Sequence, residues 1–218
     1  MTLRMIAALT VAAGLSACAT LETSTLESTA VAAPIETSTR NVGLDTPFLQ
    51  LGSVTPQTDR DYNVLGVQVV VPETLRATES NAYYPDAEIV WRGDPPGDRR
   101  AQMQDLFETA AAAVTRDMNG AEDVFVQIQL VRFHGVTERT RYTVGGIYNM
   151  IFDMQIVDPE GNIIEPQRRI EANLPAPGGL AATRLDAAGQ TEKVRVTNFL
   201  AFVIDRELSP VEEIAPEV

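Results

Sequence analysis

The chain has 218 residues and a formal net charge of −13 at pH 7, from 30 acidic and 17 basic side chains. An acidic surface repels nucleic-acid phosphates and anionic lipid headgroups, so we expect no nucleic-acid partner and no membrane docking by charge. With one cysteine in the sequence, no disulfide can form within the chain, and burial of a core must supply its stability.

The first 17 residues have the features of a secretory signal peptide. Arg4 supplies a positive charge, the run from Met5 to Leu15 is apolar or small throughout, and small residues precede Cys18. This run of about 11 residues is too short for a membrane-spanning helix, which needs about 20. Cys18 is therefore predicted to be an acylation site, although a secreted protein with an incidental cysteine stays open as an alternative.

The run Leu15-Ser16-Ala17-Cys18 resembles the lipobox of bacterial lipoproteins. The resemblance implies that the Cys18 thiol receives a diacylglyceryl group, that the signal is removed before it, and that the new amine is acylated. Two or three acyl chains anchor a protein stably, whereas one binds marginally. Ala19 stands where an Asp would favour inner-membrane retention, so the resemblance favours an outer-membrane anchor that faces the periplasm.

Residues 18–61 are predicted to form a disordered tether. Thr, Ser, Ala and Glu dominate the part up to Arg40, and the remainder is rich in turn-forming residues. A flexible chain of about 45 residues has a root-mean-square reach of roughly 35–40 Å. A folded domain beyond the tether can therefore stand off from the membrane.

The pattern of apolar residues predicts an α+β domain over residues 62–208, followed by an acidic tail at 209–218. We expect a two-layer fold in the order β-β-α-β-β-β-α. Its sheet of about five mostly antiparallel strands carries two helices on one face. A barrel-like closure is less favoured, because two amphipathic helices need a sheet face to cover. The predicted strands are 64–71, 88–92, 123–133, 141–157 and 163–172, and the predicted helices are 99–118 and 192–208.

The strand predicted at 141–157 alternates most clearly. One face carries the apolar residues and the other carries Asn149, Asp153 and Gln155, so we expect one sheet face to be solvated and available for contact. The apolar residues of this strand are Tyr148, Met150, Phe152, Met154 and Ile156.

The segment 81–99 concentrates residues that could form a binding rim or a carboxylate site. Alternatively, Pro95-Pro96-Gly97 makes a rigid turn, and Asp98 or Asp94 caps the helix that begins near Arg99. The carboxylates lack the spacing of a calcium loop, so no metal site is predicted. The candidate residues of this segment are Tyr83, Tyr84, Trp91, Arg92, Asp94 and Asp98.

A second candidate segment, at 132–146, contains His134, Arg139 and Arg141. A lone histidine beside Thr, Glu and Arg could act as a general base. However, the sequence has no Gly-x-Ser-x-Gly motif and no second histidine for a typical zinc site. A hydrogen-bonded residue at a strand end is the favoured interpretation of His134, and no catalytic residue or cofactor is predicted.

Three segments, Asn81–Arg99, Arg132–Gly146 and Gln190–Arg195, resemble an uncharacterised family of small alphaproteobacterial lipoproteins. The resemblance lies in the patterns N-x-Y-Y-P-x-A-x-I-V-W-R-G-D-P-x-G-D-R and R-F-H-x-x-T. Because that family has no assigned activity, the resemblance implies no functional residues.

The sequence thus favours a non-enzymatic outer-membrane lipoprotein whose periplasmic domain binds an envelope protein. Two alternatives remain. One is an enzyme that uses carboxylates of the 83–98 loop with His134, and the other is a small-molecule or lipid carrier with an internal apolar cavity. The nine residues of the predicted binding surface are Tyr83, Tyr84, Trp91, Arg92, Asp94, Asp98, His134, Arg139 and Arg141.

Overall fold

A computed structural model describes residues 60–210, which form five strands and four helices. The predicted signal peptide (1–17), Cys18, the tether up to residue 59 and the tail from residue 211 lie outside the described residues. The elements are β1 (Tyr62–Val70), β2 (Ile89–Val90), α1 (Arg99–Thr115), β3 (Glu122–His134), α2 (Glu138–Arg141), β4 (Gly146–Val157), β5 (Ile163–Ala176), α3 (Leu180–Ala187) and α4 (Glu192–Leu208).

The strands form one mixed sheet in the order β1-β3-β4-β5, and β2 pairs with the last two residues of β3. β1 and β2 run parallel to β3, while β3–β4 and β4–β5 are antiparallel. Antiparallel pairs hold most of the paired residues, and the predicted α+β class with an open five-stranded sheet is confirmed.

The two long helices share one hydrophobic core with the apolar face of the sheet. Phe107 of α1 packs edge-on against Phe152 of β4, with 5.2 Å between ring centroids. The predicted apolar residues of β4 from Tyr148 to Ile156 are all buried. The helical residues that complete this core include Met103, Leu106, Ala110, Ala111, Val196, Leu200, Val203 and Ile204.

Two short helices were not predicted. α2 has four residues, which is too few to show a helical period, and it begins where the side chain of Thr137 accepts a hydrogen bond from Thr140 N. Because α2 and the turn after it occupy residues 138–145, the strand predicted from Arg141 begins at Gly146 instead. α3 directly follows Pro177 and two glycines, which disfavour helix, and with eight residues it is too short to show a clear helical period.

The register of the strands defines two ends of the domain, which we call proximal, where residue 60 lies, and distal. At the proximal end, β1, β3 and β5 begin and β4 finishes; at the distal end, β3 and β5 finish and β4 begins. The 12 residues of β4 separate these ends by about 40 Å. Arg60 lies at the proximal end, where it contacts the Glu165 carboxylate at 2.5 Å and the Ser209 carbonyl at 3.2 Å.

The expectation that the second sheet face is solvated is wrong along the proximal half of β4. Asp153 is 4% exposed and Gln155 is 5% exposed, while Asn149 nearer the distal end is half-buried. The Asp153 carboxylate accepts hydrogen bonds from Arg169 at 2.9 and 3.1 Å and from Gln167 at 2.8 Å. Arg169 is the direct cross-strand partner of Asp153, so a polar residue on this face is held by its neighbours.

Candidate functional site

Trp91 belongs to the core and not to the predicted binding surface. It is completely buried and packs edge-on against Phe133, with 5.4 Å between ring centroids. Its Nε1 donates to Asp94 Oδ2 at 2.8 Å. Gly93 lies against the indole, where a Cβ would be 2.2 Å from the ring. A residue without a side chain at position 93 therefore leaves room for the buried Trp91.

Asp94 joins the loop to α4. Its carboxylate accepts a hydrogen bond from Lys193 Nζ at 2.7 Å in addition to that from Trp91. Burial alone would raise the pKa of Asp94, but the hydrogen bonds from Lys193 and Trp91 hold it below its ordinary value. Asp94 is therefore an ionised acceptor with its oxygens already engaged, which is unsuited to general acid chemistry.

Asp98 caps α1, as the alternative interpretation predicted. Its side chain accepts hydrogen bonds from Arg100 N at 3.0 Å and from Ala101 N at 3.2 Å. These are two of the N–H groups that a helix start leaves without partners. The local role of Asp98 is thus accounted for without a ligand.

Arg92 fastens the 78–92 region to α2. Its side chain is 5% exposed, and its Nε lies 3.2 Å from the Glu138 carboxylate. It also donates to the carbonyl oxygens of Trp91 at 2.7 Å and Ser80 at 3.2 Å. These contacts hold the 78–92 region in place against α2.

His134 does not assemble with the two aspartates. It lies at the end of β3, half-buried, with Nε2 3.1 Å from the Pro85 carbonyl oxygen. Among the described residues, no hydrogen bond joins His134 to Asp94 or Asp98. Residues 60–210 also contain no group of three or more His, Asp or Glu side chains placed to hold a metal ion. The favoured interpretation of His134 as a hydrogen-bonded strand-end residue agrees with this geometry.

Arg141 is buried in an ion-pair cluster at the distal end. It contacts Asp186 of α3, and its Nη1 lies 2.6 Å from Glu192 Oε1 at the start of α4. The Tyr148 hydroxyl also donates to Glu192, and burial raises the pKa of Tyr148 to about 12. Neither Asp186 nor Glu192 was singled out from the sequence. Glu192 had one signal, its place in the first turn of a predicted helix, whereas Asp186 lies in α3, which was not predicted.

Six large apolar side chains are exposed around α2 and the adjacent starts of β4 and α3. We call this group the distal patch. Four of its members were not singled out from the sequence, because residue type alone does not show whether a Tyr, Val, Ile or Leu is exposed. The patch comprises Tyr83 (39% exposed), Tyr84 (92%), Tyr142 (55%), Val144 (74%), Ile147 (57%) and Leu180 (75%).

Close backbone contacts bring the segments of the distal patch together. Gly179 N donates to the Arg141 carbonyl at 2.8 Å, which places Leu180 beside the turn after α2. Gly178 permits this approach, since a Cβ there would be 2.2 Å from Gly145 N. On the other side of α2, the Arg139 guanidinium stacks over the Tyr83 ring at 4.5 Å.

The fold and the site define an α+β domain in which Arg92, Asp94, Asp98, His134 and Arg141 are engaged internally and large apolar side chains are exposed at one end. The chain belongs to a family of unknown function, DUF6778, whose sequence model matches residues 62–217. No curated protein matches the chain. None of the helices in residues 60–210 combines the length and apolar character needed to cross a membrane.

Three crystal structures are similar to the chain at low sequence identity. A DUF330 protein from Xanthomonas campestris has 11% identity and a TM-score of 0.43, over 71% of this chain and 88% of its own. A putative lipoprotein from Caulobacter crescentus has 14% identity and a TM-score of 0.28, over 65% and 86%. A minor lipoprotein from Acinetobacter baumannii has 12% identity and a TM-score of 0.30, over 66% and 91%.

Proposed function

We propose that the protein is an outer-membrane lipoprotein whose periplasmic domain binds another envelope protein, without catalysis, through the distal patch. The observation that carries this proposal is the exposure of six large apolar side chains at one end of the domain. Large apolar side chains that cluster on the surface of a folded domain are characteristic of interaction sites. Tyrosine, which supplies three of the six, is enriched in protein interfaces.

The position of the patch supports binding at a distance from the anchor. The tether joins the domain at Arg60, at the proximal end, about 40 Å along β4 from the distal end. A lipid anchor on Cys18 and a partner at the distal patch would therefore attach to opposite ends of the domain.

The polar candidates support binding over catalysis. Asp94, Asp98 and His134 are each engaged by a different internal partner, and an acid–base mechanism needs its groups to converge on one substrate position. No observation in residues 60–210 favours the carrier alternative over a docking role.

The anchoring part of the proposal is tested by replacing Cys18 with Ser. The variant should accumulate as an uncleaved or mislocalised precursor, and intact mass spectrometry of the wild-type protein should show an acylated Cys18 at its N-terminus. An unmodified thiol on the mature wild-type chain would contradict the anchor.

The binding part is tested by placing a photoreactive amino acid at Tyr84 in the full chain in living cells. Illumination should join the protein to a discrete envelope protein. Phe202, which is 59% exposed on α4 and outside the patch, is the matched control and should give no such product. Equal labelling from both positions, or none from Tyr84, would refute docking at the patch.

A further inference from the structure

Two arginines border the distal patch without an ion-pair partner among residues 60–210. Arg139 stacks over Tyr83, and Arg184 lies one helical turn after Leu180, on the same face of α3. Both are exposed. The buried arginines nearby differ, since Arg92 and Arg141 are each paired with carboxylates of the domain.

The charges of the patch select among possible occupants. Anionic membranes are bound by clusters of about four to eight basic residues, whereas Arg139 and Arg184 are only two. A second copy of the same patch would bring like charges together, because the neighbouring Glu138 and Asp186 carboxylates are already paired within the domain. A protein segment that supplies its own carboxylates fits both the apolar surface and the two arginines.

We infer that the distal patch recognises a protein segment in which large apolar side chains are flanked by Asp or Glu. This inference rests on the proposed function and names the chemistry of its partner. The apolar side chains of the segment cover Tyr142, Val144 and Leu180, which are more than half exposed. Its carboxylates pair with Arg139 and Arg184, whose planar guanidinium groups can bind a carboxylate through two hydrogen bonds.

The probe for this inference is a phage-displayed library of random dodecapeptides, selected against the immobilised full mature protein. Selected peptides should combine two or more large apolar residues with at least one acidic residue. In fluorescence anisotropy, Arg139→Ala and Arg184→Ala should each weaken binding by about tenfold, as expected for a charge-assisted hydrogen bond. Leu180→Asp should abolish binding.

The matched control is Arg116→Ala. Arg116 is also exposed and also has no ion pair with a described residue, but it follows α1 at the proximal end. Its replacement should leave peptide affinity unchanged. Because the replaced side chains are exposed, circular dichroism should show that all variants fold.

Several outcomes would overturn the inference. These are no enriched peptide, enriched peptides without carboxylates, or affinities insensitive to Arg139 and Arg184. Binding to vesicles of equimolar phosphatidylglycerol and phosphatidylethanolamine that Leu180→Asp abolishes would identify a membrane surface instead. Self-association in sedimentation velocity that the same variant abolishes would identify a second copy.

Different results would remove the proposed function and the inferred partner chemistry. Cross-links from Tyr84 in cells, together with peptides that lack acidic residues, would leave the proposed function standing and remove the inferred partner chemistry. Acidic apolar peptides that bind as expected, with no cross-link in cells, would retain the chemistry of the patch and remove the proposed function.

Discussion

Phe152 and Asp153 are adjacent on β4 but face opposite sides of the sheet, which makes them a sharp test of the packing. Phe152 is completely buried and its ring packs edge-on against Phe107. Replacing a buried Phe by Ala costs about 3–5 kcal/mol, out of the roughly 5–15 kcal/mol that stabilise a typical domain. At about 2–4 °C per kcal/mol for a domain of this size, the melting temperature should fall by about 6–20 °C.

Asp153→Ala should cost less. The change removes an acceptor used by Gln167 and Arg169, and hydrogen bonds to charged groups are worth about 1.5–3 kcal/mol. The Arg169 side chain is 62% exposed, so water replaces much of what it loses, and we expect a net cost of about 1 kcal/mol. Asp153→Asn is the matched control, because it keeps one acceptor oxygen and should cost less than Asp153→Ala.

Urea unfolding followed by circular dichroism measures these differences, with thermal melts as a second readout. The slopes of the urea transitions should be the same for all variants, so that midpoints report stability. The reasoning would be refuted by a Phe152→Ala cost below about 1 kcal/mol, or by an equal cost for Asp153→Ala.

Three further perturbations test single contacts. Asp98→Ala should cost about 1 kcal/mol in urea unfolding and Asp98→Asn much less, because only Ala loses the cap; equal stability of both with wild type would contradict the capping role. Burial raises the pKa of Tyr148 from 10.0 to about 12. As the pH rises, the unfolded chain therefore releases this proton before the folded chain does. The contribution of Tyr148 to the free energy of unfolding is complete below pH 10 and is lost as the pH rises towards 12. Tyr148→Phe should flatten the fall in stability over that range, and an unchanged fall would show that Tyr148 does not cause it. Gly178→Ala would place a Cβ 2.2 Å from Gly145 N, so hydrogen exchange at the amides of residues 142–146 should become faster, and unchanged exchange would contradict the close approach.

The long elements were predictable because their patterns are long. α1 and β4 each repeat their apolar spacing over several turns or alternations, which is enough to fix both the type of element and its inward face. α2 has four residues and could show no period. The parallel pairing of β1 and β3 had a signal in the sequence, since the helix between them is the crossover that parallel neighbours require.

The candidate site was less predictable because residue type does not reveal burial. Trp91 and Arg141 have the chemistry of a binding surface, yet the first lies against Phe133 and the second pairs with Glu192, a residue 51 positions later in the chain. Ile147 shares its sheet face with Asn149, so the alternation of β4 already excluded it from the core. That Ile147 is exposed together with Leu180 depends on the backbone contacts of Gly178 and Gly179, which bring α3 beside the start of β4 and which no pattern in the sequence predicts.

The contacts of Arg60 with Glu165 and with the Ser209 carbonyl affect how the domain would respond to mechanical load. In the proposed arrangement, a pull between the anchor and a partner at the distal patch would act along the strands. β1 and β3 are parallel neighbours from Tyr62 to Val70, so such a pull shears their hydrogen bonds together and cannot open them one at a time. Before the force reaches β1, Arg60 transfers part of it to β5 and to the end of α4. The domain would therefore resist such a stretch through shear of two parallel strands and through the contacts of Arg60.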